Sequence, residues 1–204
     1  MSTTQNDTIS AAPVQRILAA AKFAADRHSA QKRKGAAAEP YVNHLIEVAQ
    51  LVAGSSDTLD TNLVMAGLLH DTIEDTSTTP AELELLFGSD VASLVVEMTD
   101  DKSLPKDVRK ALQISEAPHK SARAQVVKLA DKISNLRSLL ASPPSNWNTQ
   151  RKREYVLWAK RVVDALSTPN PILKTEFERT FALLSNDTAG WQSTDSDERN
   201  RSQR

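Results

Sequence analysis

Apolar residues return every three or four positions along most of this chain, and no stretch sustains an apolar–polar alternation of period two. Residues three and four apart share one face of a helix, whereas a half-buried strand needs alternation, so the pattern restricts the chain to packed helices. Val14, Ile17, Leu18, Ala21 and Ala25 form a first stripe just after Pro13. Val42, Leu45, Ile46, Ala49 and Val52 form a second, closed by Gly54. Asp60 is placed to cap a third helix through Leu63, Val64, Gly67, Leu68 and Asp71. Thr79-Pro80-Ala81-Glu82 joins a capping box to a proline at the first helical position and opens a short helix with Leu83, Leu86 and Phe87, ended by Gly88. Ser89 is expected to cap Val91, Leu94, Val95 and Met98. Val126, Leu129, Ala130, Ile133, Leu136 and Leu140 make a long stripe before Pro143-Pro144. Tyr155, Trp158, Val162 and Leu166 make the next, and Leu173, Phe177, Phe181 and Leu184 the last. The expected fold is all-α: a single compact multi-helix domain over 13–184. Residues 1–12, polar and small, and 185–204, rich in Ser, Asp and Arg with Trp191 as the one large apolar residue, are expected to be disordered.

Composition narrows the function. With no cysteine there is no disulfide framework, no thiolate metal site and no Cys nucleophile. The net charge of −1 argues against a general nucleic-acid binder, which needs a basic excess. No apolar run approaches the ~20 residues that span a bilayer, and the first residues lack the basic-then-apolar pattern of a secretory signal. A cytoplasmic protein without membrane or nucleic-acid partners is therefore expected. There is no Gly-x-Ser-x-Gly elbow, no Gly-x-x-x-x-Gly-Lys loop and no dinucleotide fingerprint.

The chain has 4 histidines. One lies in the string His70-Asp71-Thr72-Ile73-Glu74-Asp75, which follows the apolar run Met65-Ala66-Gly67-Leu68-Leu69. On a continuous helix His70 would stack on Glu74 and Asp71 on Asp75. Three carboxylates and an imidazole so close repel one another unless a cation or proton compensates. The string is either an exposed acidic helix end or a cation site, and the adjoining apolar run places His70 and Asp71 near the core. His44, on an apolar helix, is either a satisfied core residue or a ligand. Asp131, mid-stripe in Val126–Lys132, is either paired with Lys128 or Lys132 or bound to an ion. His28 and His119 read as surface residues. Two imidazoles and two carboxylates suit a borderline or hard divalent ion such as Mn²⁺ or Fe²⁺ better than a structural zinc site. Glu74 and Asp75 are then left to orient a water or handle a proton.

Basic residues cluster at Lys32-Arg33-Lys34, at Lys102, Lys106, Arg109 and Lys110, and at Arg151-Lys152-Arg153. They are either solvated surface or, if they converge, a receptor for a compact polyanion such as a polyphosphorylated nucleotide.

A His, a His-Asp doublet and a distant Asp, all on helices, resemble the HD phosphohydrolase superfamily. Around them stand, in order, Gln31-Lys32-Arg33-Lys34, Pro40-Tyr41-Val42-Asn43-His44, Leu68-Leu69-His70-Asp71-Thr72-Ile73-Glu74-Asp75-Thr76, Phe87-Gly88, Thr99-Asp100-Asp101-Lys102 and Val127-Lys128-Leu129-Ala130-Asp131-Lys132. These strings resemble the hydrolase domain of the Rel/Spo alarmone enzymes, and most of all its stand-alone small hydrolases, over about residues 14–184. The resemblance implies an HD-type domain and a 3′-pyrophosphohydrolase that cleaves guanosine tetra- and pentaphosphate to GDP or GTP plus pyrophosphate, dependent on one Mn²⁺. It implies His44, His70, Asp71 and Asp131 as metal ligands and Glu74 and Asp75 as the catalytic pair. It also implies substrate contacts at Arg33, Lys34, Lys102, Lys106, Asn135, Arg151 and Tyr155. Two features depart from the family: Leu45 stands where a proline commonly follows the first ligand His, and the loop after Lys34 reads Gly-Ala-Ala-Ala-Glu. The rival readings are an NADPH 2′-phosphatase or another nucleotide phosphohydrolase, and a silent HD module that senses nucleotide.

Overall fold

Capping residues and prolines set the helix boundaries of a chain whose computed structural model describes residues 11–185. In order these form α1 (Ala11–Arg27), α2 (Val42–Ala53), α3 (Thr61–Leu69), the single turn α4 (Thr72–Asp75), α5 (Pro80–Phe87), α6 (Ser89–Met98) and α7 (Lys106–Ser115). A 3-10 turn (Ala117–His119), α8 (Ala122–Ala141) and α9 (Thr149–Asp164) follow, and α10 occupies 171–185. Among the described residues there is no strand, only an antiparallel bridge between Lys32 and Pro40. The fold is all-α, as the periodicity requires. Asp60 accepts from the Leu63 amide and Thr79 from the Glu82 amide, each satisfying a donor that a helix start leaves open.

Some boundaries differ from expectation. Helix α1 already begins at Ala11, with Pro13 in the first turn, where a missing N–H costs nothing. Gly88, not Ser89, stands at the cap of α6. Of the segments expected to be disordered, only 11–12 and 185 fall among the described residues, and they are helical; the remainder lies outside them. Helix α7 has no counterpart among the apolar stripes because none of its residues is buried.

The core is organised around α8, which packs against α2, α3, α6 and α9. Val127, Leu129, Ala130, Ile133 and Leu136 of α8 are wholly buried, and each such large side chain contributes roughly 1.5–3 kcal/mol through its removal from water. Unusually for a helix, α8 also buries Gln125, Lys128, Asp131, Lys132 and Ser134. Helix α3 is buried from Leu63 to Leu69. It approaches α2 so closely that a Cβ on Gly67 would lie 3.2 Å from the Cα of Ala49. The glycine therefore lets the helices that carry His44 and His70 meet. Helix α1 packs on α3 through its small residues: Ala20 and Ala24 are fully buried, while Leu18 of the expected stripe is 62% exposed. The buried line of α1 therefore runs beside the expected stripe, through Ala20 and Ala24, whose small side chains allow close approach; Ile17 and Ala21 border it and Val14 is exposed. Ile46 and Leu86 are left exposed in the same way.

Candidate active site

The segment from His70 to Asp75 leaves the buried end of α3. The helix stops at Leu69, Asp71 takes φ −100° and ψ −1°, and α4 restarts at Thr72. The expected continuous helix is thus broken, although the Asp75 amide still donates to the Asp71 carbonyl at 2.8 Å. The break points both His70 and Asp71 toward α2 and α8. His70 Nε2 lies 3.1 Å from Asp71 Oδ2 and 3.8 Å from Asp131 Oδ1. His44 Nε2 lies 3.6 Å from Asp71 Oδ2 and 3.4 Å from Asp131 Oδ1. Four side chains from α2, the α3–α4 junction and α8 therefore converge on one point. One ligand atom each from His44, His70 and Asp131 lies within 4.8 Å of the others.

The donor set fits a divalent ion by its own chemistry. Both Nε2 atoms are buried without a hydrogen-bond partner, and an unpaired buried polar atom is costly unless something binds it. The Nδ1 atoms are engaged: His70 Nδ1 sits 2.8 Å from the Gly67 carbonyl, to which it can only donate, and His44 Nδ1 sits 2.8 Å from Ser134 Oγ. A neutral His70 thereby presents its Nε2 lone pair to the centre. Electrostatics show the same demand for positive charge. Burial opposes charging His70, but Asp71 and Asp131 outweigh it and raise its pKa to about 9. Burial likewise opposes ionisation of Asp131, yet Lys132 and the two imidazoles hold it well below the usual carboxylate range. The salt bridge weighed for Asp131 is real, with Lys132 Nζ at 3.1 Å from Oδ2, and it leaves Oδ1 facing the imidazoles. Lys128 instead turns to the Met98 carbonyl.

The leftover acids sit beside this centre. Glu74 Oε2 accepts from the Asp100 amide at 3.1 Å, and Arg109 lies 3.6 Å from its Oε1. Burial raises the Glu74 pKa, against the pull of the Asp100 amide. Asp75 accepts from Gln31 Nε2 at 2.8 Å and contacts Lys102.

Above the acids opens a cleft of about 1070 Å³, lined by ten lysines and arginines against six acids, in a chain whose net charge is −1. Arg33, Lys34, Lys102, Lys106, Asn135, Arg151 and Tyr155 all line it. The first two basic clusters thus converge here with Arg151 of the third, while Lys152 and Arg153 do not line the cleft. Burial, then the charges of Arg151, Lys34 and Arg109, depress the Lys106 pKa, the signature of cations gathered without enough anion. Asn135 Nδ2 donates to Asp131 Oδ1 at 2.5 Å and its Oδ1 accepts from Arg33 at 3.2 Å, linking the rim to the floor. Tyr155 stands between Trp147 and Trp158, with ring centroids 5.4 Å from each. The loop after Lys34 is clamped to the end of α8: Ala37 N–H donates to Ser142 Oγ at 2.9 Å, and a Cβ on Gly35 would collide with the Ser142 carbonyl. Only glycine permits that approach.

Several supporting residues were missed in the sequence. Tyr41 donates to Asp71 Oδ2 at 2.6 Å, and burial together with that carboxylate raises its pKa far above the ordinary phenol range. His28 is buried, not a surface residue. It stacks on Tyr41 with centroids 5.2 Å apart, and its Nδ1 lies 2.5 Å from Gln31 Oε1. His28 follows Ala20 and Ala24 at a spacing of four, so phasing α1 on its alanines would have found it. His119 is exposed, as expected.

Comparison with known proteins agrees with this geometry. A family model described as HD domain matches residues 20–160. The guanosine-3′,5′-bis(diphosphate) 3′-pyrophosphohydrolase MESH1 of Xenopus tropicalis is 48% identical over 165 residues, 81% of this chain and 92% of its own. The Homo sapiens protein of the same name is 47% identical over the same shares. A solved structure, described as a metazoan ortholog of SpoT that hydrolyzes ppGpp and plays a role in starvation responses, superposes with a TM-score of 0.79. It is 40% identical and covers 89% of this chain and 98% of its own.

Proposed function

The chain belongs to the HD domain family, and from that premise we propose that it is a guanosine-3′,5′-bis(diphosphate) 3′-pyrophosphohydrolase dependent on one Mn²⁺. It cleaves ppGpp to GDP and pyrophosphate, and pppGpp to GTP and pyrophosphate. One observation carries the reading: two buried, partnerless imidazole nitrogens face two carboxylates under a cleft whose rim is strongly cationic. A guanine nucleotide substrate implies a cytoplasmic enzyme.

His44, His70, Asp71 and Asp131 would hold the ion. Nitrogen and oxygen donors without sulfur favour Mn²⁺ over a structural zinc. When bound, the ion acidifies water and neutralises phosphoryl charge. The protein supplies the rest. Asp75, pinned by Gln31 and Lys102, orients the attacking water and takes its proton. Glu74, whose carboxyl burial pushes above the ordinary glutamate range, gives a proton to the departing ribose 3′-oxygen as the bond from that oxygen to phosphorus breaks. Arg33, Lys34, Lys102, Lys106 and Arg151 neutralise the two diphosphates. Asn135 holds the ribose side near Asp131, and Tyr155 offers an aromatic wall.

The test is to incubate metal-stripped protein with ppGpp, with and without Mn²⁺, and to identify the products. GDP and pyrophosphate in equal amounts, formed only with the metal, are expected. Orthophosphate released faster from NADPH than pyrophosphate from ppGpp would replace this reading with a 2′-phosphatase.

A further inference from the structure

The two imidazoles are held in different ways. At His70 the acceptor is the Gly67 backbone carbonyl, which no side-chain substitution removes. At His44 the partner of Nδ1 is a hydroxyl, Ser134 Oγ at 2.8 Å, which can either donate or accept. We propose that Glu47, acting through Ser134, decides which nitrogen of His44 carries the proton and so keeps Nε2 free to ligate. The inference rests on the metal reading above.

Helix α2 carries His44 and Glu47 three residues apart, and α8 carries Ser134 and Arg137 three apart, so each pair shares a face. Ser134 Oγ lies 2.6 Å from Glu47 Oε2. A carboxylate only accepts, so the hydroxyl proton of Ser134 is directed to Glu47. The remaining lone pairs of Ser134 then require His44 Nδ1 to donate. That leaves the Nε2 lone pair of the neutral ring facing Asp71 and Asp131, where it has no other partner. Arg137 fixes Glu47 in turn, with Nη1 at 2.9 Å from Oε1, and reaches Glu176 of α10 through Nη2 at 2.5 Å. Glu47 and Ser134 are positioning residues: neither lies among the groups that meet the ion. Outer partners of this kind set ring orientation and tautomer, and their loss typically lowers metal affinity ~10–100-fold.

The arrangement makes an isosteric substitution diagnostic. In Glu47→Gln, Arg137 can only donate, so the glutamine carbonyl must face it and the amide NH₂ must face Ser134. The hydroxyl then accepts from the amide and donates to His44 Nδ1, which drives the ring proton onto Nε2. Manganese affinity of the metal-stripped protein, read by electron paramagnetic resonance titration, should fall roughly 10–100-fold. Adding Arg137→Met frees the amide to turn its carbonyl toward Ser134, and affinity should recover severalfold. A merely structural role predicts the reverse, since a second lost ion pair would weaken binding further. Ser134→Ala removes the relay with little change of shape and should also bind Mn²⁺ less tightly. Affinity within twofold of the parent in Glu47→Gln, or a double variant weaker than the single one, overturns the proposal. If the unsubstituted protein takes up no Mn²⁺, the metal reading itself fails and this inference goes with it.

Discussion

At the floor of the cleft His44, His70 and Asp131 are each less than a tenth exposed and stand on or beside packed core helices. At the rim Lys34, Lys106 and Arg151 are exposed and stand on a loop, on α7 and at the start of α9. The floor concentrates buried groups that demand a cation, while the rim gathers cations that demand an anion. The difference teaches how one surface binds both a metal and a polyphosphate. Each charge is placed where the opposite ligand completes it, and burial makes the floor the stronger of the two.

The sharpest way to break the contrast is at the floor. His70→Ala should leave no stoichiometric Mn²⁺ and no measurable ppGpp turnover, because Asp71 and Asp131 then face each other with one fewer ligand. Full turnover in excess chelator would contradict this. Between floor and rim, Glu74→Gln or Asp75→Asn should keep metal and substrate affinity while kcat falls ~10²–10⁴-fold. Lost metal with unchanged turnover per ion would make these acids ligands instead.

A third experiment concerns Lys128, a cation buried in the floor region. Burial, then Lys132, lowers its pKa from 10.5 to about 8. Between pH 8 and 10.5 the unfolded chain therefore binds more protons at this site than the folded one, so stability should rise with pH across that window. The charged form held at pH 7 costs on the order of 3 kcal/mol. In metal-free protein, urea unfolding at pH 7 should show Lys128→Met more stable by ~1–3 kcal/mol, with the alkaline rise gone. A variant less stable than the parent at pH 7 would show that the ammonium is well paired.

The smallest effect belongs to the rim. Lys106→Ala or Arg151→Ala should raise KM for ppGpp by roughly tenfold, about 1.4 kcal/mol, with metal content intact. A ribonucleoside 3′-monophosphate should respond less, having fewer charges. Unchanged KM for ppGpp would return these residues to ordinary solvated surface.

What the sequence made legible follows the same division. The helices that carry the floor announce themselves, because a buried face must repeat every three to four residues and a polar group within it stands out, as Asp131 does. The helix caps at Asp60 and Thr79 are equally local. Helix α7 was illegible because it buries nothing, yet it supplies Lys106, Arg109 and Lys110 to the cleft. Tyr41, Gln31 and Ser134 were illegible as supports because hydrogen bonds between residues far apart in the chain leave no periodic trace, whereas the burial of His28 was legible in its spacing from Ala20 and Ala24. The break at Asp71 was hidden too, since helical spacing carries across it.

The most direct test of the central claim is an anomalous difference map from crystals of the protein soaked in Mn²⁺. One peak per chain is expected, bonded to Nε2 of His44 and His70 and to carboxylate oxygens of Asp71 and Asp131. A peak beside Glu74 and Asp75 instead, or no peak at all among these side chains, would contradict it.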